Sequence, residues 1–227
     1  MNKNMIKFLV ATYFGDVNEE KVYEKCIYRA YRDLARKIPY RYSVEVLKKM
    51  QKEDEAECNH FKELKSRFIA AESFYLKEQI DKCVDPTALI EGVIKKASYY
   101  KKAFIESEKF SYGLAQKWVN MTLKYLWLFG KCPIEEQKLH APLDSYIISA
   151  LSDDGENNKY GLGIEIGNNN YAKLKNINWS TLEDLDFYNS IQVIISKAVC
   201  QKGFEGIKSR IAWETVAWME QARLEAD

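Results

Sequence analysis

The chain has 227 residues, of which 47% are hydrophobic and 13% are aromatic. This length and composition are enough to bury a sizeable core and therefore exclude an intrinsically disordered protein. The formal net charge is only +1, so the charge of the whole molecule gives no evidence for or against a polyanionic partner, and only local patches can do so.

The N-terminal segment contains a short apolar run from Phe8 to Phe14. The run is at the short limit for a signal peptide, and no small-x-small cleavage site follows it. We interpret it as a buried entry segment, either a strand or a first helical turn. Since no run in the sequence approaches the length that spans a bilayer, we expect a soluble protein with no membrane partner.

Helical periodicity dominates the first half of the chain. Asp16 and Glu19 form a capping box, and the apolar residues that follow at helical spacing end at Pro39. Asp85 and Pro86 match the N-cap and first position of another helix. The predicted helices cover about residues 22–38, a short segment after residue 43, residues 54–80 and residues 85–105.

The most informative stretch opens with an almost uniformly apolar helix, predicted to start at Ser111 or Tyr112. Lys117, Asn120 and Lys124 recur along it at spacings of three and four, so together they form one polar stripe. A helix that is apolar on its other faces is normally buried. The stripe is therefore either the one solvent edge of the helix or the wall of a site.

A carboxylate follows at the next helix start. Asp144 stands two residues after Pro142, where a short helix is predicted to begin. The sequence thus brings a lysine and a carboxylate to two consecutive helix starts, although spacing alone does not prove that they meet in space.

The last third changes composition sharply. Residues 152–178 are rich in Gly, Asn and Asp, which predicts an irregular loop with a small β-hairpin near 160–175. Ser180 and Glu183 form a capping box for a helix to about Val199, and a final helix carries Trp213 and Trp218. These elements predict a single all-α domain of seven to nine helices over residues 1–227, with candidate lobes at 1–106 and 107–227.

Two motifs within residues 112–148 resemble the helix-hairpin-helix DNA glycosylase superfamily, the HhH-GPD fold. Its pattern is G-h-G-x-K, an apolar helix, and then P-V-D-T-H-V. Here the matching segments are G-L-A-Q-K at 113–117 and P-L-D-S-Y-I at 142–147. The chain departs from the family at Ala115, which replaces the second hairpin glycine, and at Tyr146, which replaces the histidine. The connector 131–140 is longer than usual, and no four-cysteine cluster follows.

The resemblance implies a two-lobed helical core, nucleic-acid binding and base excision. In this reading Lys117 is the nucleophile at the sugar carbon, and Asp144 stabilises positive charge on the sugar as the base departs. A base would leave the stack and lie between aromatic rings, with Tyr112, Trp118 and Tyr146 as candidates. The residues expected to contact the substrate are Gly113, Gln116, Asn120, His140 and Tyr146.

Basic residues interleaved with aromatics are a second signal for nucleic acid, because phosphates attract the cations and unstacked bases lie on the rings. Residues 36–42, R-K-I-P-Y-R-Y, form one such stretch. The alternative, favoured by acidic stretches of similar density nearby, is that tyrosines anchor a helix and lysines merely solvate it. The residues predicted to bind nucleic acid are Lys95, Lys96, Tyr99, Lys101, Lys102 and Lys124.

Other chemistries are disfavoured. Glu57 and His60 form a single E-x-x-H without the second copy that a di-iron bundle needs, so no metal is expected. Gly161 and Gly163 miss the dinucleotide-binding spacing, and we expect no cofactor. The five cysteines are scattered, odd in number and form no C-x-x-C, which favours reduced thiols and a cytoplasmic location.

Three classes of function stay open. The first is a DNA glycosylase or lyase that uses Lys117 and Asp144. The second is a non-catalytic helical protein that binds DNA or another nucleic acid, and the third is a protein-interaction, host-conflict module. In the last two, Asp144 is only a helix cap and Lys117 a solvated or ion-paired lysine. A cavity that joins the two side chains and is lined by aromatic rings favours the first class. A continuous basic face without such a cavity favours the second, and a buried ion pair of Lys117 under other helices favours the third. The sequence carries no indication of the oligomeric state.

Overall fold

Capped α-helices account for most of the protein. The computed structural model describes residues 10–15, 21–164 and 178–226, and within these ranges it contains no β-strand, only an isolated bridge between Tyr40 and Phe104. The all-α class with seven to nine helices is confirmed. Besides helical residues 10–14, the helices are α1 (Val22–Leu34), α2 (Val44–Glu53), α3 (Glu55–Asp81), α4 (Pro86–Ala97), α5 (Tyr112–Leu128), α6 (Ser145–Ser152), α7 (Leu185–Lys202) and α8 (Arg210–Leu224).

Side-chain caps set most helix starts, and two of them, with one helix end, differ from the predicted boundaries. Asp144 is the N-cap of α6 and accepts the Ile147 N–H, so this helix starts at Ser145 and not at Pro142. Asp184 caps α7 by accepting the Phe187 N–H, while Trp179–Thr181 form a separate 3-10 turn. The helix from Pro86 ends at Ala97 and continues as a 3-10 segment to Ala103.

Helix α5 lies at the centre of the core. Every residue from Tyr112 to Leu126 is buried, and α1, α4 and the turn Trp179–Thr181 pack against it. The Trp118 indole donates from Nε1 to the Ile27 carbonyl oxygen of α1 at 3.1 Å, and its ring contacts Phe68 of α3. Side chains from every one of these helices except α2 form one hydrophobic cluster around α5.

Two predictions fall wholly or mainly outside the described residues. These are the capping box of Asp16 and Glu19, and most of the hairpin or irregular loop near 160–175. The division into lobes at 1–106 and 107–227 stays a prediction. Within the described ranges, no helix combines the length and apolarity needed to cross a bilayer.

One buried carboxyl lies apart from every ion pair. Glu72 of α3 is fully buried, and neither carboxyl oxygen has a hydrogen-bond partner among the described residues. Burial raises the pKa of this carboxyl to about 8, although the nearby Lys96 lowers it in part. The folded protein therefore keeps a proton on Glu72 that the unfolded chain loses near its ordinary pKa of 4.5.

Replacing Glu72→Gln removes this titration. Because the pKa of Glu72 is raised in the folded state, the carboxyl lowers the free energy of unfolding once the unfolded chain can ionise it. This loss of stability is absent at low pH and grows as the pH rises from about 4.5 to 8. We expect the free energy of unfolding of the variant to match that of the wild type near pH 4.5 and to exceed it at pH 9 by on the order of 4 kcal/mol. Urea unfolding at both pH values measures the difference, and an equal difference at both would contradict the assignment.

Candidate functional site

Two buried glutamines hold the segment that delivers Asp144. Gln116 of α5 donates from Nε2 to the Leu143 carbonyl oxygen (2.8 Å) and accepts the Leu143 N–H at Oε1 (3.1 Å). Gln192 of α7 makes the same two-way contact with Ala141, at 2.9 Å in both directions. Each amide satisfies both backbone groups of one residue in an extended segment, as a neighbouring strand would. This segment is thereby fixed against α5 and α7.

The contacts of Gln116 with Leu143 and of Gln192 with Ala141 place the Asp144 carboxylate against Lys117. The distance from Lys117 Nζ to Asp144 Oδ2 is 2.6 Å, and the two side chains are only 7% and 14% exposed. Oδ2 also accepts the Trp218 indole N–H at 3.2 Å, and Oδ1 accepts the Ile147 N–H at 3.0 Å. Burial opposes ionisation, but Lys117 and the Ile147 N–H outweigh it and hold the pKa of Asp144 below its ordinary value. Asp144 is therefore an ionised carboxylate.

A second ion pair lies two helical turns along α5. Lys124 Nζ is 2.6 Å from Glu214 Oε2 of α8, and Glu214 is fully buried. Burial raises the pKa of Glu214, while Lys124 opposes the rise. The pKa values of Asp144 and Glu214 are therefore displaced in opposite directions, lowered for Asp144 and raised for Glu214. Such a split is typical of acid and base pairs at catalytic sites, although structural ion pairs also produce it.

Both ion pairs face a cavity of about 620 Å³, enclosed by α1, α5, α8, the start of α6 and the turn Trp179–Thr181. This volume lies within the usual range of small-molecule sites. Aromatic rings form much of the wall, and the Tyr146 and Trp218 rings lie 5.2 Å apart between their centroids. The aromatic lining residues are Tyr13, Tyr125, Tyr146, Trp179 and Trp218.

A third ion pair closes the α1 side of the cavity. Arg29 donates to Asp33 at 2.6 Å, and the Tyr125 hydroxyl of α5 donates to the other Asp33 oxygen at 2.5 Å. The Arg29 guanidinium lies 3.5 Å from the centroid of the Tyr13 ring, a cation–π geometry. Asp33 thus has partners on its own helix and on α5, and its negative charge is compensated by Arg29.

Gly113 allows the Trp179 turn to approach α5. The Gly113 N–H donates to the Leu182 carbonyl oxygen at 2.8 Å, and a Cβ at this position would overlap the Trp179 carbonyl oxygen. The Trp179 ring centroid consequently lies 5.9 Å from Lys117 Nζ. Gly113 was predicted to contact substrate through a DNA-binding hairpin; in the structure it is the contact point between α5 and an aromatic wall of the cavity.

Three other residues predicted to contact substrate lie behind the wall. Gln116, Asn120 and His140 are buried and do not line the cavity. Asn120 Nδ2 donates to the Tyr188 hydroxyl oxygen at 2.7 Å, and the same hydroxyl forms a second hydrogen bond with His140 Nδ1, 2.9 Å away. Burial lowers the pKa of His140 to about 3, and the imidazole is neutral. Gln116, Asn120 and His140 therefore support the backbone segment that leads to Asp144.

The predicted nucleic-acid-binding residues separate into two groups. Lys124 is buried in its ion pair with Glu214 and lines the cavity. Tyr99 is 73% exposed and anchors nothing, whereas the neighbouring Tyr100 packs against Phe68. The residues that lie away from the cavity wall are Lys95, Lys96, Tyr99, Lys101 and Lys102.

The aromatic wall differs from the predicted one. Tyr112 and Trp118 are buried in the core, and of the three rings expected to sandwich a base only Tyr146 lines the cavity. Trp179 and Trp218 take their place. Trp218 stands four residues after Glu214 and therefore shares its helix face, but neither residue was predicted for the site from the sequence, so this spacing became informative only in the structure.

No known family model, curated protein sequence or solved structure matches this chain. The likeness to DNA glycosylases accordingly stays a prediction that depends on the two motifs alone. Among the described residues, no group of three or more His, Cys, Asp or Glu side chains is placed to hold a metal ion.

Replacing Gly113→Ala tests the close approach. The added methyl group must push the Trp179 turn outward, since the obstructing atom is backbone. We expect a loss of about 1–3 kcal/mol in the free energy of unfolding, together with a shift in tryptophan fluorescence. Ala115→Gly, two positions further along the same helix, is the control for an exchange of Ala and Gly away from the turn; it loses helix propensity and one buried methyl group, with an expected cost of about 1–2 kcal/mol. Unchanged stability and fluorescence in Gly113→Ala would contradict the packing described.

Replacing Asp144→Asn isolates the ion pair from the helix cap. Asn is an equally good N-cap, but it leaves the buried Lys117 ammonium without its counter-ion. We expect a loss of roughly 3 kcal/mol near neutral pH. The loss begins to shrink below the ordinary pKa of 3.8, because there the unfolded chain takes up a proton that the folded carboxylate, whose pKa is lowered, binds only in stronger acid. Denaturant unfolding at pH 7 and pH 2.5 checks both points; a pH-independent loss would show that the charge is not responsible.

Proposed function

We propose that this protein binds nucleic acid, accommodates a single unstacked base in the cavity, and excises it with Lys117 and Asp144. The observation that carries the proposal is the 2.6 Å contact of these two groups on the wall of a cavity of about 620 Å³ lined by aromatic rings. A cytoplasmic location, inferred from the cysteine pattern, belongs to the same proposal.

The cavity suits a planar aromatic ligand. Bases bind to aromatic side chains by stacking, which is worth about 1–3 kcal/mol per base and is tolerant of sequence. Trp179 offers a ring near Lys117, and Tyr146 and Trp218 offer a second aromatic surface beside Asp144. A base held by these rings would place its sugar next to the ion pair.

The ion pair supplies the chemistry that base excision needs. The bond from sugar C1′ to the base nitrogen breaks with its electron pair on the base, and the Asp144 carboxylate stabilises the positive charge left on the sugar. A proton passes from the Lys117 ammonium to the departing base, and the freed amine lone pair then bonds to C1′. Until that transfer, Lys117 is held by Asp144 as an ammonium, which is not a nucleophile.

The same ion pair supports a second candidate, a non-catalytic nucleic-acid-binding protein. Lys117 and Asp144 satisfy each other, and Asp144 also caps α6 and accepts the Trp218 N–H. Such a set of contacts stabilises a fold without any reaction. Binding of oligonucleotides without a covalent product favours this candidate over the enzyme, whereas absence of both would favour the protein-interaction module.

Borohydride trapping distinguishes the enzyme from the other candidates. Purified protein is incubated with duplex and single-stranded DNA that carries abasic sites or damaged bases, and borohydride reduces any imine formed between a lysine and the sugar. We expect a covalent adduct with the wild type and at least roughly a 100-fold loss of adduct in Lys117→Ala, because removal of a nucleophile abolishes the covalent route.

Lys124→Gln is the matched control, since Lys124 is the other buried lysine of the cavity. It should retain the adduct, and peptide mapping should place the modification on Lys117. Circular dichroism confirms that both variants are folded. An adduct lost only in Lys124→Gln would reassign the nucleophile, and no adduct over the whole lesion panel would overturn base excision.

A further inference from the structure

The cavity wall carries more positive than negative charge, and the excess is confined to one place. Five cationic and three anionic side chains line the cavity. Each carboxylate is paired with one cation: Asp33 with Arg29, Asp144 with Lys117, and Glu214 with Lys124. The two cations that remain are Arg36 and Lys37.

These two residues differ from the paired cations in exposure. Arg36 and Lys37 are both exposed, in the 3-10 turn Ala35–Lys37 that ends α1. Among the described residues, neither forms an ion pair or a side-chain hydrogen bond. Their charges are therefore free to meet a ligand from solvent, whereas those of Arg29, Lys117 and Lys124 are already compensated.

Location on the cavity distinguishes this pair from other surface lysines. Lys48 and Lys49 of α2 are also adjacent and exposed, but they do not line the cavity. Arg36 and Lys37 are exposed and line the cavity, so they lie on the rim of a concave site whose aromatic wall suits a base. Arginine in particular matches the geometry of a phosphate, because its planar fork donates two parallel hydrogen bonds.

We propose that Arg36 and Lys37 form a phosphate-binding subsite at the mouth of the cavity, which holds the phosphate of the nucleotide whose base lies inside. This inference rests on the proposed function for the base, but it concerns a separate group of the ligand. The phosphate belongs either to a nucleic-acid strand or to a free nucleotide, since both present the same group next to a sugar and a base.

The experiment compares the rim variant, Arg36→Gln/Lys37→Gln, with the wild type and with a control variant, Lys48→Gln/Lys49→Gln. The control variant makes the same change of charge away from the cavity. Binding is measured by titration calorimetry with a 15-residue single-stranded oligonucleotide, with deoxyadenosine 5′-monophosphate, and with deoxyadenosine. For the phosphate-bearing ligands we expect the rim variant to bind about ten- to hundredfold more weakly. The plot of log affinity against log salt for the oligonucleotide should become shallower by about 0.7 for each phosphate that the variant no longer neutralises.

The outcomes separate the subsite from the proposed function. If oligonucleotide binding is weaker in Arg36→Gln/Lys37→Gln but not in Lys48→Gln/Lys49→Gln, a strand is supported as the source of the phosphate. If the first variant binds the monophosphate more weakly but the nucleoside equally well, a free nucleotide is supported. If the wild type binds the oligonucleotide but rim and control variants bind it equally, the subsite is overturned, whereas the nucleic-acid binding in the proposed function is supported. A wild type that binds none of the three ligands overturns both.

Discussion

The constraint that organises this protein is that a fully buried helix carries polar side chains that need partners. Helix α5 is buried from Tyr112 to Leu126 yet presents two lysines and two amides on one side. A buried ammonium or amide without a partner costs several kcal/mol. The segment before α6, together with α7 and α8, therefore has to approach α5 with matching acceptors and donors.

The partners of these side chains also create the site. Gln116 fixes the backbone at Leu143, and the next residue is the Asp144 that meets Lys117. Lys124 forms an ion pair with Glu214 of α8, and α8 carries Trp218 on the same face as Glu214. A cavity remains where α1, α5 and α8 cannot close over these charged groups. The contacts of Gln116 and of the two lysines of α5 thus lead to an aromatic cavity that carries both lysine ion pairs on its wall.

Stability and reactivity make opposite demands on the Lys117–Asp144 pair. A tight pair keeps the carboxylate ionised and the amine protonated, which suits the fold and the stabilisation of a cationic sugar but not nucleophilic attack. In the proposed base excision, the departing base takes the lysine proton and thereby resolves this conflict.

The all-α class, most helix spans and the polar stripe of Lys117, Asn120 and Lys124 could be predicted from the sequence, because these depend on local periodicity and capping. The positions of a lysine and Asp144 at consecutive helix starts could be predicted in the same way. Folding was needed to show that these two side chains meet, that Asn120 and His140 lie behind the wall, and that Trp179 and Glu214 belong to the site. Those outcomes depend on contacts between residues far apart in the chain, 27 positions for Lys117 and Asp144, and local spacing carries no information about such contacts.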